Sequence, residues 1–137
     1  LALIQKRVDA VPEGREILFI DQRQLLTFGD IKNVELVADY EKKYLMDQAM
    51  SDNAAYFEKF IDDLASHRFA LIVTEPVLIN YVSESERNFA QENNAWVKWV
   101  SSPLLCYYRE AEYLPWVGVQ VLVPRTAQEM PESCDLP

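Results

Sequence analysis

Four polar side chains follow the two clearest strand-like runs of the sequence, and together they could bind a small molecule. Asp21 and Arg23 come after the first run, and Thr74 and Glu75 end the second. Ligands of open α/β sheets bind at the carboxyl ends of the parallel strands. The sequence therefore predicts a ligand-binding edge built from these four residues. Asp21 also fits the N-cap of the next helical segment, which is the interpretation we favour for that residue.

Aromatic side chains are concentrated late in the chain, and three of them could form a platform for a sugar or a partner. These three are Trp99, Tyr108 and Trp116. Trp and Tyr rings beside carboxylates bind sugars because the rings stack and the polar groups hydrogen-bond. Trp99 lies off the apolar face of its predicted helix. The competing interpretation is that these rings recur at helical and strand spacing because they pack in the core.

No residue pattern in the sequence indicates a catalytic centre, a metal site or a cofactor site. The three glycines are too far apart for the Gly-rich turn of a dinucleotide site or a P-loop. His67 is the only histidine, and it precedes a strand, on the side opposite the usual catalytic edge. With one histidine and two cysteines, a Cys/His metal site lacks ligands. We therefore predict no catalytic residue, no metal ligand and no cofactor.

The charge balance excludes two classes of partner. The chain has 22 acidic and 13 basic residues, which gives a formal net charge of −9. Non-specific binding of nucleic acid and docking on an anionic membrane both rest on Lys and Arg side chains. We therefore expect neither a nucleic acid nor an anionic membrane surface as partner of this chain.

Alternating strand-like and helix-like segments must position these residues. Apolar runs predict strands at 17–21, 34–37, 69–75, 104–110 and 117–123. Helical spacing predicts helices at 1–9, 22–28, 39–50, 54–66 and 83–100. Asp39 is the expected N-cap of its helix, Ser83 and Glu86 have capping-box spacing, and Pro103 is expected to end the last helix.

This order predicts a three-layer, Rossmann-like α/β sandwich. The first three strands should be parallel, and an antiparallel C-terminal hairpin should close the mainly parallel sheet. The domain should span 1–125, with 126–137 as a flexible tail because that stretch is polar and aperiodic. Cys106 and Cys134 could pair only if this tail folded back, so their oxidation state stays open.

Four segments resemble a known family. They read ILFIDQRQLLTFG, LVADYEKKYLMDQAM, YFEKFIDDLASHRFALIVTEP and VGVQVLVPR. Over roughly residues 15 to 125 the chain resembles the soluble C-terminal domain of bacterial polytopic glycosyltransferase-like membrane proteins of the lipid-phosphate-sugar-dependent class. The shared positions are mostly core positions. The family's catalytic carboxylates lie in loops between membrane helices, so the resemblance transfers no catalytic residue to this chain.

The resemblance implies a context for the domain. The chain starts without an initiator Met, and we expect it to be a piece of a longer protein. Its partners would be the membrane-embedded remainder of the same polypeptide and a glycan or lipid-linked sugar. The full-length protein would associate with a membrane, with this domain on the extracytoplasmic side.

Three functions are hypotheses at this point. The first is a noncatalytic accessory domain that positions an acceptor or a partner near a membrane-embedded active site. The second is a degenerate Rossmann-type domain that binds a nucleotide, a nucleotide sugar or another small molecule at the ligand-binding edge. The third is a protein-interaction module that uses the late aromatic residues as a hot spot.

Overall fold

The structure of the chain, a computed structural model, describes residues 1–83 and 89–137. The strands are β1 (Glu16–Phe19), β2 (Phe69–Thr74), β3 (Tyr108–Leu114) and β4 (Val119–Pro124). The helices are α1 (Ala2–Asp9), α2 (Gln24–Thr27), α3 (Lys42–Met50), α4 (Ala54–Ala65), α5 (Ala90–Trp96) and α6 (Ser102–Tyr107). A π-helix, Val97–Ser101, joins α5 to α6, and 3₁₀-helices lie at Ala38–Tyr40, Pro115–Val117 and Ala127–Glu129. The fold is therefore mixed α/β, as the sequence predicts.

The four strands form one mixed sheet in the order β1-β2-β4-β3. β1 and β2 are parallel, whereas β4 is antiparallel to both of its neighbours. The antiparallel C-terminal hairpin is confirmed. The prediction of a mainly parallel sheet is wrong, because the hairpin inserts its second strand beside β2, and a three-layer Rossmann-like sandwich is not confirmed.

Two predicted strands do not form where the sequence places them. The segment 34–37 has no strand pairing, and a guanidinium from Arg23 binds the Val37 carbonyl instead. The first half of the predicted strand 104–110 is the helix α6. Pro103 does not end a helix, because it follows closely on the π-helix Val97–Ser101, whose wider turn already interrupts the α-helical hydrogen bonds that a proline would break.

Side chains of the sheet alternate between two apolar clusters, one on each face. Leu18, Ile72 and Leu122 pack with α3, α4, the π-helix and α6. Phe19 and Val121 pack on the other face with α1. This alternation with period two explains why the central apolar run predicts a strand that is buried on both faces.

Helix α4 is the best-predicted element. Its buried positions Phe57, Phe60 and Leu64 recur at helical spacing and face the first of the two clusters. Asn53 caps the helix, because its side-chain oxygen accepts a hydrogen bond from the N–H of Tyr56 at 3.2 Å.

Helix α3 begins later than the sequence predicts. Asp39 lies in the preceding 3₁₀-helix, and Glu41 is the N-cap, since its carboxylate accepts a hydrogen bond from the N–H of Lys43. The N–H of Lys42 donates to the carbonyl of Ile20 at 2.8 Å, which fixes the start of α3 at the end of β1. The predicted capping box of Ser83 and Glu86 falls partly on residue 86, outside the described residues.

The last twelve residues contact the rest of the fold at several points. A disulfide joins Cys134 to Cys106 in α6, with their Cα atoms 5.7 Å apart. Glu129 accepts from Thr126 in a capping box and forms an ion pair with Arg109 at 2.7 Å. The tail thus folds back onto α6 and β3, and this allows Cys134 to reach Cys106, as the sequence analysis requires for the two cysteines to pair. The flexibility of 126–137 stays a prediction.

Candidate ligand-binding site

The carboxyl ends of β1 and β2 meet at one edge of the sheet, because these two strands are parallel. Asp21 follows β1, and its Oδ2 accepts a hydrogen bond from the backbone N–H of Glu75 at 2.8 Å. Thr74, the last residue of β2, is only 4% exposed. The structure therefore brings together three of the four residues that the sequence predicts for this edge.

The N-cap interpretation of Asp21 is wrong. Helix α2 begins at Gln24, its N-cap is Arg23, and the cap has no side-chain hydrogen bond. The Asp21 carboxylate instead links the ends of β1 and β2. Asp21 therefore lies at the predicted ligand-binding edge and is not used as a helix cap.

Lys42 is a site residue that the sequence analysis missed. Its Nζ lies 2.6 Å from Oε2 of Glu75, and its backbone is held at the end of β1 by the hydrogen bond to Ile20. Both side chains are about half exposed, so this ion pair contributes little stability by itself and can open for a ligand. No sequence signal marks Lys42, because its place depends on how α3 docks against β1.

A cavity of about 210 Å³ opens between these polar groups and an apolar wall. Asp21, Lys42, Thr74 and Glu75 line one part of it. Met46, Pro76, Leu78 and Trp96 line the other part. We call this space the strand-end cavity. Its lining combines hydrogen-bonding groups with apolar surface, as small-molecule sites do.

Burial gives Asp21 an unusually high pKa. Desolvation is the main cause that raises the pKa of Asp21 to about 6, and the nearby charge of Glu75 acts in the same direction. The hydrogen bond from the Glu75 N–H and the charge of Lys42 oppose this rise. The second oxygen, Oδ1, is buried and has no hydrogen-bond partner among the described residues. Asp21 therefore exchanges its proton close to neutral pH.

Arg23 does not face the strand-end cavity. Its Nε donates to the carbonyl of Phe19 at 2.8 Å, and its Nη2 donates to the carbonyl of Val37 at 2.5 Å. Desolvation lowers the pKa of this guanidinium, which stays charged at neutral pH. Arg23 thus connects two backbone segments instead of completing the predicted ligand-binding edge.

The three aromatic residues of the predicted platform lie in different environments. Tyr108 is 0% exposed and its hydroxyl donates to the carbonyl of Phe69 at 2.6 Å. Trp99 is 7% exposed and stacks on Phe57 with ring centroids 4.9 Å apart. Trp116, at the turn of the hairpin, is 77% exposed. Because two of the rings are used in the core, they offer no open stacking face for a sugar.

His67 lies away from the strand-end cavity, at the start of β2. Its ring contacts Tyr108 edge-on, with centroids 5.7 Å apart. Among residues 1–83 and 89–137 no group of three or more His, Cys, Asp or Glu side chains could hold a metal ion. In the same part of the chain no helix combines the length and the apolar character of a membrane span.

Comparison of the chain with protein-family models, with curated proteins and with solved structures finds no match. The glycosyltransferase-like family and its membrane context therefore remain proposals, and the function must be argued from the site itself.

Proposed function

We propose that this chain is a noncatalytic accessory domain that binds one sugar residue of an acceptor glycan in the strand-end cavity. One observation carries this proposal. Asp21, Lys42, Thr74 and Glu75 meet beside an apolar wall at the carboxyl ends of two parallel strands. This edge is where open α/β sheets bind their ligands.

The size and lining of the strand-end cavity favour a sugar residue over a whole nucleotide. Its volume of about 210 Å³ is below the ~300–1,000 Å³ typical of sites for larger ligands. The turn after β1 carries bulky side chains and offers no glycine where a phosphate would approach the backbone. A single sugar ring fits these limits, whereas a nucleotide sugar exceeds them.

The polar lining provides both kinds of hydrogen-bonding group that a sugar needs. The carboxylates of Asp21 and Glu75 accept hydrogen bonds from hydroxyl groups, and the ammonium of Lys42 donates to hydroxyl or ring oxygens. The side chains of Trp96 and Leu78, which line the cavity, would contact the apolar face of the ring.

The accessory role and the membrane context rest on the family resemblance, and one structural feature supports the extracytoplasmic placement. The disulfide between Cys106 and Cys134 is typical of proteins in oxidising compartments. In this context the domain would hold a glycan or a lipid-linked sugar near the membrane-embedded remainder of the polypeptide.

A titration followed by two-dimensional ¹H–¹⁵N NMR tests the binding proposal. The probes are methyl glycosides of common hexoses and N-acetylhexosamines, with AMP and UDP as nucleotide probes. We expect saturable shifts of the Thr74 and Glu75 amides with glycosides, and Asp21→Asn should weaken that binding about tenfold, because a carboxylate is a stronger hydrogen-bond acceptor than an amide. Asp62→Asn, which removes an exposed carboxylate from α4, is the matched control.

Two results would contradict the proposed function. If nucleotides shift these amides at lower concentration than any glycoside, the cavity is a nucleotide site. If the isolated domain hydrolyses or transfers a sugar at a rate that Asp21→Asn abolishes, the domain is an enzyme and not an accessory module.

A further inference from the structure

A second cavity, of about 310 Å³, lies next to the strand-end cavity where α3 packs against α5. Three parts of the chain contribute to both cavities, namely α3, the stretch 76–82 and α5. Their residues in the strand-end cavity are Met46, Leu78 and Trp96, and their residues in the second cavity are Met50, Tyr81 and Ala95. We call this second space the cleft cavity. Because each wall of the strand-end cavity continues into the cleft cavity, the two spaces lie side by side along α3.

Tyr81 presents an exposed ring at a fixed place in the cleft cavity. The residue is 57% exposed, although the backbone on both sides of it is tied to α5. Nδ2 of Asn93 donates to the carbonyl of Asn80 at 2.8 Å. Asn94 binds both backbone groups of Val82, since its Oδ1 accepts from the N–H at 2.9 Å and its Nδ2 donates to the carbonyl at 2.8 Å. These three hydrogen bonds hold the backbone around Tyr81 in place and leave its ring accessible to a ligand.

Asp52 presents a carboxylate oxygen in the same cavity. Its Oδ1 accepts a hydrogen bond from Nε1 of Trp99 at 2.9 Å, and Nζ of Lys98 lies 3.7 Å from the same oxygen. The other oxygen, Oδ2, has no hydrogen-bond or ion-pair partner among the described residues, and the side chain is 72% exposed. The indole of Trp99 thus orients the carboxylate of Asp52, and Oδ2 remains available to a ligand.

The lining of the cleft cavity combines the kinds of group that bind a sugar residue. The ring of Tyr81 can stack on the apolar face of a pyranose. The carboxylate of Asp52 accepts hydrogen bonds from hydroxyl groups, whereas the ammonium of Lys98 and the amide of Gln91 donate to oxygen atoms. The strand-end cavity offers the same combination of carboxylate, ammonium and apolar surface. The two neighbouring cavities therefore suit two consecutive residues of one glycan.

We propose that the cleft cavity binds a second sugar residue of the acceptor glycan, next to the residue in the strand-end cavity, and that Tyr81 is its stacking platform. This inference rests on the proposed function, because it takes the sugar in the strand-end cavity as the first residue of the glycan. Met46 and Met50, which line the two cavities, are one turn apart on α3, about 6 Å along the helix axis. This distance is comparable to the length of one sugar ring, so the shortest ligand that fills the whole site is a disaccharide.

The backbone beside Tyr81 favours a glycan over an extended peptide. The N–H and the carbonyl of Val82 are bonded to Asn94, and the carbonyl of Asn80 is bonded to Asn93. These groups are therefore not available to pair with the backbone of a peptide strand, which is the source of affinity when a peptide extends a sheet. A glycan needs no such pairing, because side chains supply its stacking and hydrogen-bonding partners.

Affinities for saccharides of one and two residues test this inference. The probes are the methyl glycosides of the chito-, cello- and manno-oligosaccharide series, titrated by NMR or calorimetry into the unmodified chain. In at least one series the disaccharide should bind about tenfold more tightly than the monosaccharide, because it contacts both cavities at once. Tyr81→Ala should weaken binding of that disaccharide about fivefold, because the stacking surface is lost, and should leave binding of the monosaccharide unchanged. Tyr81→Phe keeps the ring and should retain the affinity for the disaccharide.

Two control variants separate the cleft cavity from other effects. Tyr113→Ala removes a half-exposed ring of β3 that lines neither cavity, and it should leave both affinities unchanged. Asp21→Asn acts in the strand-end cavity, so it should weaken binding of the monosaccharide and of the disaccharide alike.

The outcomes distinguish this inference from the proposed function. If monosaccharides bind but no disaccharide binds more tightly, or if Tyr81→Ala binds the disaccharide as well as the unmodified chain does, the inference is overturned and the proposed function stands. If no glycoside of either length binds, the proposed function fails and the inference fails with it. If the unmodified chain is a dimer in size-exclusion chromatography and Tyr81→Ala is a monomer, the ring of Tyr81 is an interface between copies, which also overturns the inference.

Discussion

Asp21 shows how one residue acquires its chemistry from its neighbours. In the sequence it is one carboxylate among 22 acidic residues. In the structure it joins the ends of two parallel strands, and burial raises its pKa to about 6. The sequence could predict its place at the sheet edge, since a strand-like run precedes it. The raised pKa could not be predicted, because it depends on how α3 and the segment after β2 cover the side chain.

The raised pKa of Asp21 predicts a pH dependence of stability. The folded state holds this proton more tightly than the unfolded state, whose Asp pKa is near 3.8. Stability is therefore lost as pH rises from about 4 to about 6. Asp21→Asn cannot titrate at this position, so it does not lose this stability. The free energy of unfolding of Asp21→Asn, relative to that of the unmodified chain, should therefore rise by about 1 kcal/mol between about pH 4 and about pH 6. This value is discounted for the partial solvent exposure of Asp21.

Urea denaturation of both proteins across this pH range measures the effect. Asp62→Asn serves as control for the loss of a carboxylate from the surface. A difference in the free energy of unfolding between Asp21→Asn and the unmodified chain that stays constant with pH would show that Asp21 is not perturbed by burial.

Tyr108 gives a second prediction at the residue scale. Its buried hydroxyl donates to the carbonyl of Phe69, so Tyr108→Phe should lower the free energy of unfolding by about 1–2 kcal/mol. Tyr113→Phe, which changes a half-exposed ring of the same strand, should cost less than about 0.5 kcal/mol. Equal effects in thermal or chemical denaturation would argue against the hydrogen bond as the cause.

At the scale of the elements, prediction from the sequence worked where one local pattern decides the outcome. Helix α4 has apolar residues at helical spacing and a capping residue in front of it, and both act within the segment. The segment 34–37 has strand-forming residues, but a strand needs a partner, and the partner position beside β1 is spanned by Arg23. Local propensity could not reveal a side chain that replaces a ladder of backbone hydrogen bonds.

The cap of α4 can be tested directly. Asn53→Ala should lower the free energy of unfolding by about 1 kcal/mol, because the N–H of Tyr56 loses its acceptor. Ser51→Ala, two residues earlier and also exposed, removes only a hydrogen bond to the carbonyl of Gln48 and should cost less than about 0.5 kcal/mol. If both variants unfold at the same urea concentration, Asn53 does not act as a cap.

At the scale of the whole molecule, strand orientation was the weakest prediction. Alternating strands and helices favour parallel pairing, and β1 and β2 follow that rule. The connection from β2 to the hairpin is long enough for either orientation, and the hairpin places β4 beside β2. Packing of the whole sheet decides this choice, and no single segment encodes it. The strand-end cavity nevertheless lies where the sequence predicts the ligand-binding edge, because that edge requires only that β1 and β2 are parallel.

The disulfide is a covalent cross-link between the C-terminal stretch 126–137 and helix α6. Cys106 and Cys134 are 28 residues apart, and a loop of that length predicts a stabilisation of about 3–4 kcal/mol from restriction of the unfolded chain. The double variant Cys106→Ala/Cys134→Ala should lose most of this free energy in urea denaturation. A reducing agent should destabilise the unmodified chain similarly and leave the double variant unchanged.

Limited proteolysis gives the matching structural measurement. Cleavage in the stretch 126–137 should be faster in the double variant than in the oxidised chain, because Cys134 no longer holds the tail to α6. Equal cleavage rates would mean that the contacts of Arg109 and Glu129 are sufficient to hold the tail.

The π-helix between α5 and α6 corrects the phase of a long helical stretch. Successive side chains of an α-helix differ in direction by about 100°. Residues that recur at a fixed spacing therefore leave one face of the helix gradually over several turns. The wider turn of Val97–Ser101 holds an additional residue and rotates the helix α6 relative to α5. Trp96, Trp99 and Leu104, which lie before, within and after this turn, are all buried in the same cluster. Deleting one residue within the turn should restore an α-helix and rotate α6, and with it Leu104, relative to Trp96 and the core.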